Sequence, residues 1–568
     1  MAGIKLAGRD YCIYIIVIAG LGGLLYGIDI GVIAAALPYL GSVISLTVAQ
    51  SSIIVAAVLG GSIIGSLLGG LLADWLGRRK MILASGFLFL VSVWLILISR
   101  GFLLLFLGRL LQGVSCGIVG LVVPLYLAET LSARHRGKGT ATFQFMLTLG
   151  IVLAAVVGWF YTGRAQAAIA HAAGNAILIR NAQNDAWRSM FSATIYPGVI
   201  FFVGSLFMIE TPRWLFRNGR STDAMAALRR LSPPEEAELQ MREMESVAFE
   251  DREKKSNQSG GSLLRRKYII PFVLSCTILA CNQATGINSI LGFLVVILKQ
   301  AGMNPQHATL GDVVVKVLNC LMTIVAIALV DKKGRKFLLK IGTGGVVVSL
   351  LACAILFHVF ESRRGDVRAE VQRSLHDNKL TLALHEAAFG QPATGRPMSL
   401  TVLYSYGFGD KVATAVSSEN DAVLNIVPDA REAASPLVIK RALYGPVPTA
   451  ETGWLITICL GLFISFFSIG PGVVVWLTLS ELMPTRIRST GMGIALLLNS
   501  GVSTLIAALF LPVVGNYGFY AMFLFWAACT LVYFVTATFF LPETKGKTLE
   551  EIEEYFENRS CPALMQSS

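Results

Sequence analysis

The chain has 568 residues, 54% of them hydrophobic and only 14% charged, with a mean hydropathy of +0.66. A composition this apolar excludes an ordinary soluble domain. The net charge of +12 is scattered over short loops and forms no basic, aromatic-studded module, which excludes a nucleic-acid partner.

Apolar runs of about 20 residues suit helices that cross a hydrocarbon core. Twelve occur, at about 12–36, 50–72, 81–99, 102–128, 140–162, 189–210, 268–298, 310–330, 337–360, 453–480, 489–513 and 518–541. The first is too long for a cleaved signal peptide and carries Asp29. Lys and Arg gather after every second run: Arg78 to Lys80, Arg134 to Lys138, Arg213 to Lys267, Lys332 to Lys336, Arg486 and Arg488, Lys545 and Lys547. The positive-inside rule makes that side cytoplasmic and puts both termini there. Eight of the nine cysteines lie in or beside the runs, so the exterior has to hold together without disulfides.

The order of the charged phrases reveals a duplication. The pattern D-x-x-G-R-R/K stands at Asp74 to Lys80 and again at Asp331 to Lys336. Glu129 precedes Arg136 by seven residues, as Glu481 precedes Arg488, and Glu210-Thr-Pro-Arg is echoed by Glu543-Thr-Lys. From Asp74 to Glu129 is 55 residues and from Asp331 to Glu481 is 150, which locates an insertion in the second half. A smaller surplus in the first half falls on the polar segment Thr162 to Trp187. Internal repeats in an apolar chain are the architecture of many secondary carriers.

The expected fold is therefore an all-α membrane protein with twelve transmembrane helices in two six-helix pseudo-repeats. Residues 1–210 form the first bundle, 211–267 a cytoplasmic helical linker, 268–541 the second bundle and 542–568 a cytoplasmic tail. In the linker, Ser232-Pro-Pro-Glu-Glu opens like a capped helix, and Gln258-Ser-Gly-Gly-Ser reads as a flexible link. Residues 361–451 form an extracytoplasmic insert between helices 9 and 10. Within it Arg368 to Phe389 reads as helical, while Ser399 to Tyr406 and Val423 to Val427 alternate like strands. A small α+β cap over the entrance is one reading and a tolerated ornament the other.

An intramembrane carboxylate is costly and marks function by default. Asp29 is one, and Arg109, at the start of the fourth run, is its expected partner. A carboxylate beside arginine stays ionised, whereas one pulled away from it in an apolar site takes up a proton more readily. The competing reading is a static bridge that only orients helices. Near the inner face, Asp74, Arg78, Glu129, Arg136, Asp331, Arg335, Glu481 and Arg488 supply both signs of charge, and the carboxylates are expected to pair with arginines of other basic loops. Ion pairs that form and break there suit a cytoplasmic gate. Gly470-Pro471-Gly472 breaks the tenth run, which fits either a hinge or a fixed kink. No phosphate-binding G-x-x-x-x-G-K-S/T loop exists, and the six histidines are scattered, so neither an ATP-driven pump nor an enzyme is expected, nor any metal or cofactor.

The two D-x-x-G-R-R/K loops, Pro124-Leu-Tyr-Leu-Ala-Glu129, Glu210-Thr-Pro-Arg-Trp, Gln283-Ala-Thr-Gly-Ile-Asn288, Gly470-Pro-Gly472 with Trp476, and Pro542-Glu-Thr-Lys-Gly together resemble the sugar porter branch of the major facilitator superfamily. The resemblance spans the chain except 163–188 and 361–451. It implies the major facilitator fold, and a monosaccharide (a hexose or a pentose) carried with a proton across the cytoplasmic membrane by a multi-pass, monomeric protein. By the same resemblance Asp29 is the proton-coupling residue with Arg109, and Gln144, Gln283, Asn288, Asn319, Trp476 and Asn499 are the sugar ligands. Amides suit hydroxyl groups because each both donates and accepts; helix–helix hydrogen bonding is the competing use of each. Asn282, Leu291, Gly292, Ser468 and Ser500 depart from the family pattern and leave the exact sugar open. The alternatives are a facilitative uniporter of a sugar or myo-inositol and a non-transporting sugar sensor.

Overall fold

The structure is a computed structural model; it describes residues 8–131, 133–257, 266–384, 397–407, 409–417, 423–428, 435–483, 488–543, 551 and 555–556. The Gln258 link and nearly all of the tail after Glu543 lie outside the described residues.

The first half opens with α1 (Arg9–Val43), α2 (Val48–Leu76), α3 (Arg78–Ile98), α4 (Phe102–Thr130) and α5 (Ala133–His171). Each contains an apolar stretch long enough to cross a membrane. Thr47 starts α2 with a reciprocal cap: its hydroxyl accepts from Gln50 N at 3.1 Å, and Gln50 Oε1 accepts from Thr47 N at 3.0 Å.

The sixth crossing departs from expectation. It is built from α6 (Ala176–Ser192) and α7 (Ile195–Ser205), so it begins well before residue 189. The polar segment Thr162 to Trp187 is a helical hairpin, not a loop. Alanines in Arg164 to His171 favour continuing α5. The Asn175 side chain then caps α6 by accepting from Ile177 N at 3.0 Å and Leu178 N at 3.3 Å.

Three helices, α8 (Pro212–Arg217), α9 (Ser221–Leu231) and α10 (Pro234–Asn257), join the halves. They dock on the first half: Trp214 Nε1 donates to the Asp74 carbonyl at 2.8 Å, and Gly8 N to that of Arg230 at 3.0 Å. The second half then runs α11 (Arg266–Ala284), α12 (Ile287–Gln300), α13 (Pro305–Lys333) and α14 (Arg335–Glu361). Gly286, at φ 82°, takes the left-handed turn that separates α11 from α12.

The insert follows as β1 (Gly365–Asp366), α15 (Arg368–Arg373), β2 (Leu375–His376), β3 (Lys379–Ala383), β4 (Met398–Ser405), β5 (Asp410–Val416), β6 (Val423–Ile426) and β7 (Val438–Pro446). The helix expected from Arg368 to Phe389 stops at Arg373. Beyond it, Leu380 and Leu382 alternate with exposed Lys379 and Thr381, a period of two that belongs to a strand. The strands form two antiparallel sheets, ordered β1-β7-β4-β5 and β2-β3-β6. Leu380, Leu400, Val402, Leu424, Ile439 and Tyr406 fill a core of the insert's own. Arg441 Nη1 ties it to the second half through the Asn516 carbonyl at 3.0 Å, and Gly409 lies against Thr47 of the first half.

The chain ends with α16 (Ala450–Phe467), a π-helical turn over Ser468–Gly472, α17 (Val473–Leu482), α18 (Arg488–Tyr517) and α19 (Phe519–Val535), which widens into a second π turn over Thr536–Phe540. The proline and glycines of Gly470-Pro471-Gly472 thus widen the helix rather than end it.

The duplication is exact in its chemistry at two sites. Gly77 and Gly334 start α3 and α14 with the same backbone, φ 99° and 91°, both at ψ 157°. Such a start leaves amides unpaired, and a remote carboxylate takes them in each half. Glu210 Oε1 accepts from Arg78 N at 2.9 Å and Arg79 N at 3.2 Å; Glu543 accepts from Arg335 N at 3.0 Å and Lys336 N at 3.1 Å. A third case closes the opposite side, where Glu361 accepts from Phe519 N at 2.9 Å behind Gly518.

The cores divide unevenly. The largest lies toward the insert and is shared by both halves, with Ile33, Leu40 and Val55 meeting Leu291, Phe293 and Phe510. Toward the basic loops, one core belongs to the first half, around Tyr126 and Phe201, and another to the second, around Leu339 and Tyr533. The halves are thus sealed together on the insert side and packed separately on the basic-loop side.

Replacing Glu210 or Glu543 by Ala is expected to cost about 1–2 kcal/mol each, the worth of a lost helix cap. Thermal unfolding in detergent checks it; an unchanged midpoint in both variants contradicts the capping role.

Candidate functional site

Asp29 sits mid-way along α1 and Arg109 in the first turns of α4, both fully buried. Their spacing along antiparallel neighbours brings Arg109 Nη1 to 2.7 Å from Asp29 Oδ1. The same Nη1 donates to Gln112 Oε1 at 2.8 Å, and the Cys116 thiol donates to Asp29 Oδ2 at 3.1 Å. The guanidinium lies 5.7 Å from the centre of the Phe191 ring on α6. Two ions out of water cost several kcal/mol each, which only good geometry and extra hydrogen bonds repay. This pair has both, yet Arg109 Nε and Gln112 Nε2 find no partner among the described residues. Gln112 and Cys116 were not assigned from sequence; their spacing of three and seven residues from Arg109 is the helical signal that points to them.

A second polar group forms where α11 gives way to α12. Asn288 Nδ2 donates to Gln283 Oε1 at 2.9 Å and to Ser503 Oγ at 2.8 Å, while Gln283 Nε2 donates to Asn499 Oδ1 at 3.2 Å. The turn at Gly286 is what lets Gln283 and Asn288, five residues apart, meet; in a straight helix they would diverge. Asn319 on α13 accepts from Ser468 Oγ, in the π turn, at 2.8 Å. Gln144 is half-buried on α5, one turn before Thr148, whose hydroxyl lies 3.5 Å from Cys320 Sγ on α13. Three of the six expected sugar ligands are thus joined in one network, Asn319 has its own partner beside it, and Gln144 lies on the facing half. The Trp476 side chain is outside the described residues.

Three of the expected gate residues come together in the first half. Arg78, buried, bridges Asp74 at 2.8 Å and Glu129 at 3.0 Å, and Glu129 also accepts from the Thr211 hydroxyl at 2.7 Å. Both pairs lie within the first half: Glu129 meets an arginine of another basic loop, as expected, while Asp74 meets Arg78 of its own loop, one helical turn away across the Gly77 bend. Arg335 mirrors part of this, reaching the Val330 carbonyl at 3.4 Å as Arg78 reaches that of Ala73 at 2.9 Å. The side chains of Arg136, Asp331, Glu481 and Arg488 lie outside the described residues.

Two pseudo-repeated helix bundles, a buried charge pair in one and a cluster of amides in the other define a membrane carrier. The family model described as "Sugar (and other) transporter" matches residues 15–370 and 438–556, leaving out the middle of the insert. The chain belongs to that family, the sugar porters of the major facilitator superfamily. The glucose transporter GlcP of Staphylococcus epidermidis is 29% identical over 96% of this chain and 98% of its own length. The proton myo-inositol cotransporter hmit-1.1 of Caenorhabditis elegans is 27% identical over 96% of this chain and 90% of its own. In fold, the chain is similar to the inward-open xylose transporter XylE from E. coli, with a TM-score of 0.66 at 21% identity over 96% of this chain and 100% of that one.

Removing one partner of a buried ion pair leaves the other uncompensated, a loss of about 3–5 kcal/mol. Arg109→Leu is therefore expected to lower stability by about that much, and Asp29→Asn/Arg109→Leu by far less. Unfolding midpoints of the two singles and the double decide; strictly additive losses exclude the pairing energy.

Proposed function

We propose that this chain carries a monosaccharide together with a proton across the cytoplasmic membrane, exposing one site alternately to the two sides. The observation that carries the reading is the fully buried Asp29–Arg109 pair at 2.7 Å on two neighbouring helices of the first half. Parting those helices removes the cation from the carboxylate and favours its protonation in an apolar site. Movement of α1 is then linked to proton uptake. The network of Gln283, Asn288 and Asn499, with Asn319 beside it and Gln144 and Trp476 completing the ring, is the proposed sugar site. When sugar binds, these amides exchange hydrogen bonds with one another for hydrogen bonds to hydroxyls, a swap that keeps every buried polar group satisfied.

Positive-inside asymmetry puts the basic loops and both termini in the cytoplasm and the insert outside. The core shared by both halves on the insert side then makes this conformation inward-facing. Asp74, Arg78 and Glu129, with Arg136, Asp331, Arg335, Glu481 and Arg488, form the proposed cytoplasmic gate, whose ion pairs regroup when that side closes. A polyol such as myo-inositol is the second reading of the substrate, favoured by the likeness to a proton myo-inositol cotransporter.

External pH in lightly buffered, de-energised vesicles, read on adding hexoses, pentoses and myo-inositol in turn, tests this. Alkalinisation is expected with one of them and is expected to vanish in Asp29→Asn. Entry of labelled solute without a pH change makes the protein a uniporter and Asp29 a structural residue. Asn288→Ala is expected to raise the KM for entry at least tenfold, the cost of leaving a bound hydroxyl unpaired; an unchanged KM removes Asn288 from the site.

A further inference from the structure

The eighth crossing carries two charges that nothing above uses. Asp312 and Lys316 stand one turn apart on α13, and both side chains are fully buried. Lys316 Nζ donates to Asp312 Oδ2 at 2.8 Å and to the carbonyl oxygen of Gly31 on α1 at 3.1 Å. Asp312 Oδ1 has no hydrogen-bond partner among the described residues. Charged side chains inside a membrane bundle are expensive to keep, and apolar residues of like volume pack as well or better. A pair retained at that cost calls for a use beyond packing.

Its place in the fold suggests one. α13 belongs to the second half and α1 to the first. Gly31 lies two residues beyond Asp29, so a single turn of α1 is held from both sides: by Arg109 of its own half through Asp29, and by Lys316 of the other half through the Gly31 carbonyl. Lys316 also precedes Asn319 by three residues, which puts it on the same face of α13, one turn nearer the insert. It therefore stands between the proposed sugar site and the sealed side.

We propose that Asp312 and Lys316 are a positioning pair of the transport cycle, in which Lys316 fastens α13 to α1 while the insert side is shut and lets go when that side opens. Opening that side has to part α1 and α2 from α12 and α13, because their residues share one core there. Parting breaks the Lys316–Gly31 bond. Asp312 rides on the same helix as Lys316, so the ammonium keeps its counter-charge in both states. The unpartnered Asp312 oxygen gains a donor once water enters. The latch thus closes by one hydrogen bond across the seam and opens without stranding a charge. This inference rests on the two-sided cycle proposed above and not on proton coupling.

The reporter is Val55→Cys. Val55 is buried on α2 against Gly292 of α12, inside the shared core, and three residues away the Ser52 hydroxyl accepts from Leu511 N of α18 at 3.0 Å. A thiol at position 55 meets a hydrophilic maleimide only when the insert side opens. Its labelling rate is measured on the detergent-purified full chain, with the Val55 protein as background, with and without the transported sugar. Losing a hydrogen bond to a charged donor shifts a two-state balance by about tenfold or more. Lys316→Met is therefore expected to raise the labelling rate about tenfold. Asp312→Asn/Lys316→Met, which leaves no lone buried charge and guards against misfolding of the single variant, is expected to do the same. If sugar alters labelling in the parent while the double variant labels at the parent's rate, the pair is a static brace and the inference falls. If neither sugar nor any variant alters labelling, the two-sided cycle itself falls and takes the latch with it.

Discussion

A charge inside a hydrocarbon slab has to be matched within the protein, and that constraint organises this molecule. Asp29 is matched by Arg109, whose Nη1 also donates to Gln112 and whose guanidinium lies over the face of Phe191. The match fixes how α1 meets α4, and through Phe191 it also fixes α6. Because α1 carries the carboxylate and also packs against α5 and α12, the geometry of one ion pair reaches both halves. Around the turn from α11 to α12 the second half meets the same demand with neutral chemistry, amide against amide.

The repeated glutamates solve a related problem at the membrane edge. Each half turns at a glycine before its third crossing, and the helix that follows starts with amides that no backbone carbonyl takes. A carboxylate from the end of the same half returns to take them, Glu210 in one case and Glu543 in the other. The last crossing of each half is thereby pinned to the start of its third. Each bundle is tied together at that edge, as suits a carrier built of two rocking bodies.

Much of this was legible in sequence because hydrophobic length and charge periodicity are strong signals. The twelve crossings and the duplication follow from runs and spacings, and Asp29 and Arg109 stand out as opposite charges within two of the runs. What stayed hidden depends on local competition. Alanines after Thr162 extend α5 out of the bundle and shift where the sixth crossing begins, though the segment reads as a polar loop. Arg368 to Phe389 has helix-forming residues at its start and strand alternation after it, and the sheet prevails once Leu380 and Leu382 find Leu424 and Ile426 across β6. The glutamate caps are contacts across 132 and 208 residues of chain, invisible to any local pattern. Asp312 and Lys316 stand one turn apart in an apolar run, a signal the sequence reading passed over, and only the fold shows that Lys316 touches the other half.

The insert enters through β1 and leaves through β7, and these two strands are paired, Gly365 with Tyr444 and Asp366 with Leu443. A domain hung on adjacent stalks with a core of its own stands clear of the lipid like a handle on a lid. A membrane protein of 61.2 kDa buried in a detergent belt offers little for image alignment, and this handle supplies an asymmetric landmark. An antibody fragment raised against its sheets would mark the second half, from which both stalks rise and to which Arg441 ties the handle at the end of α18.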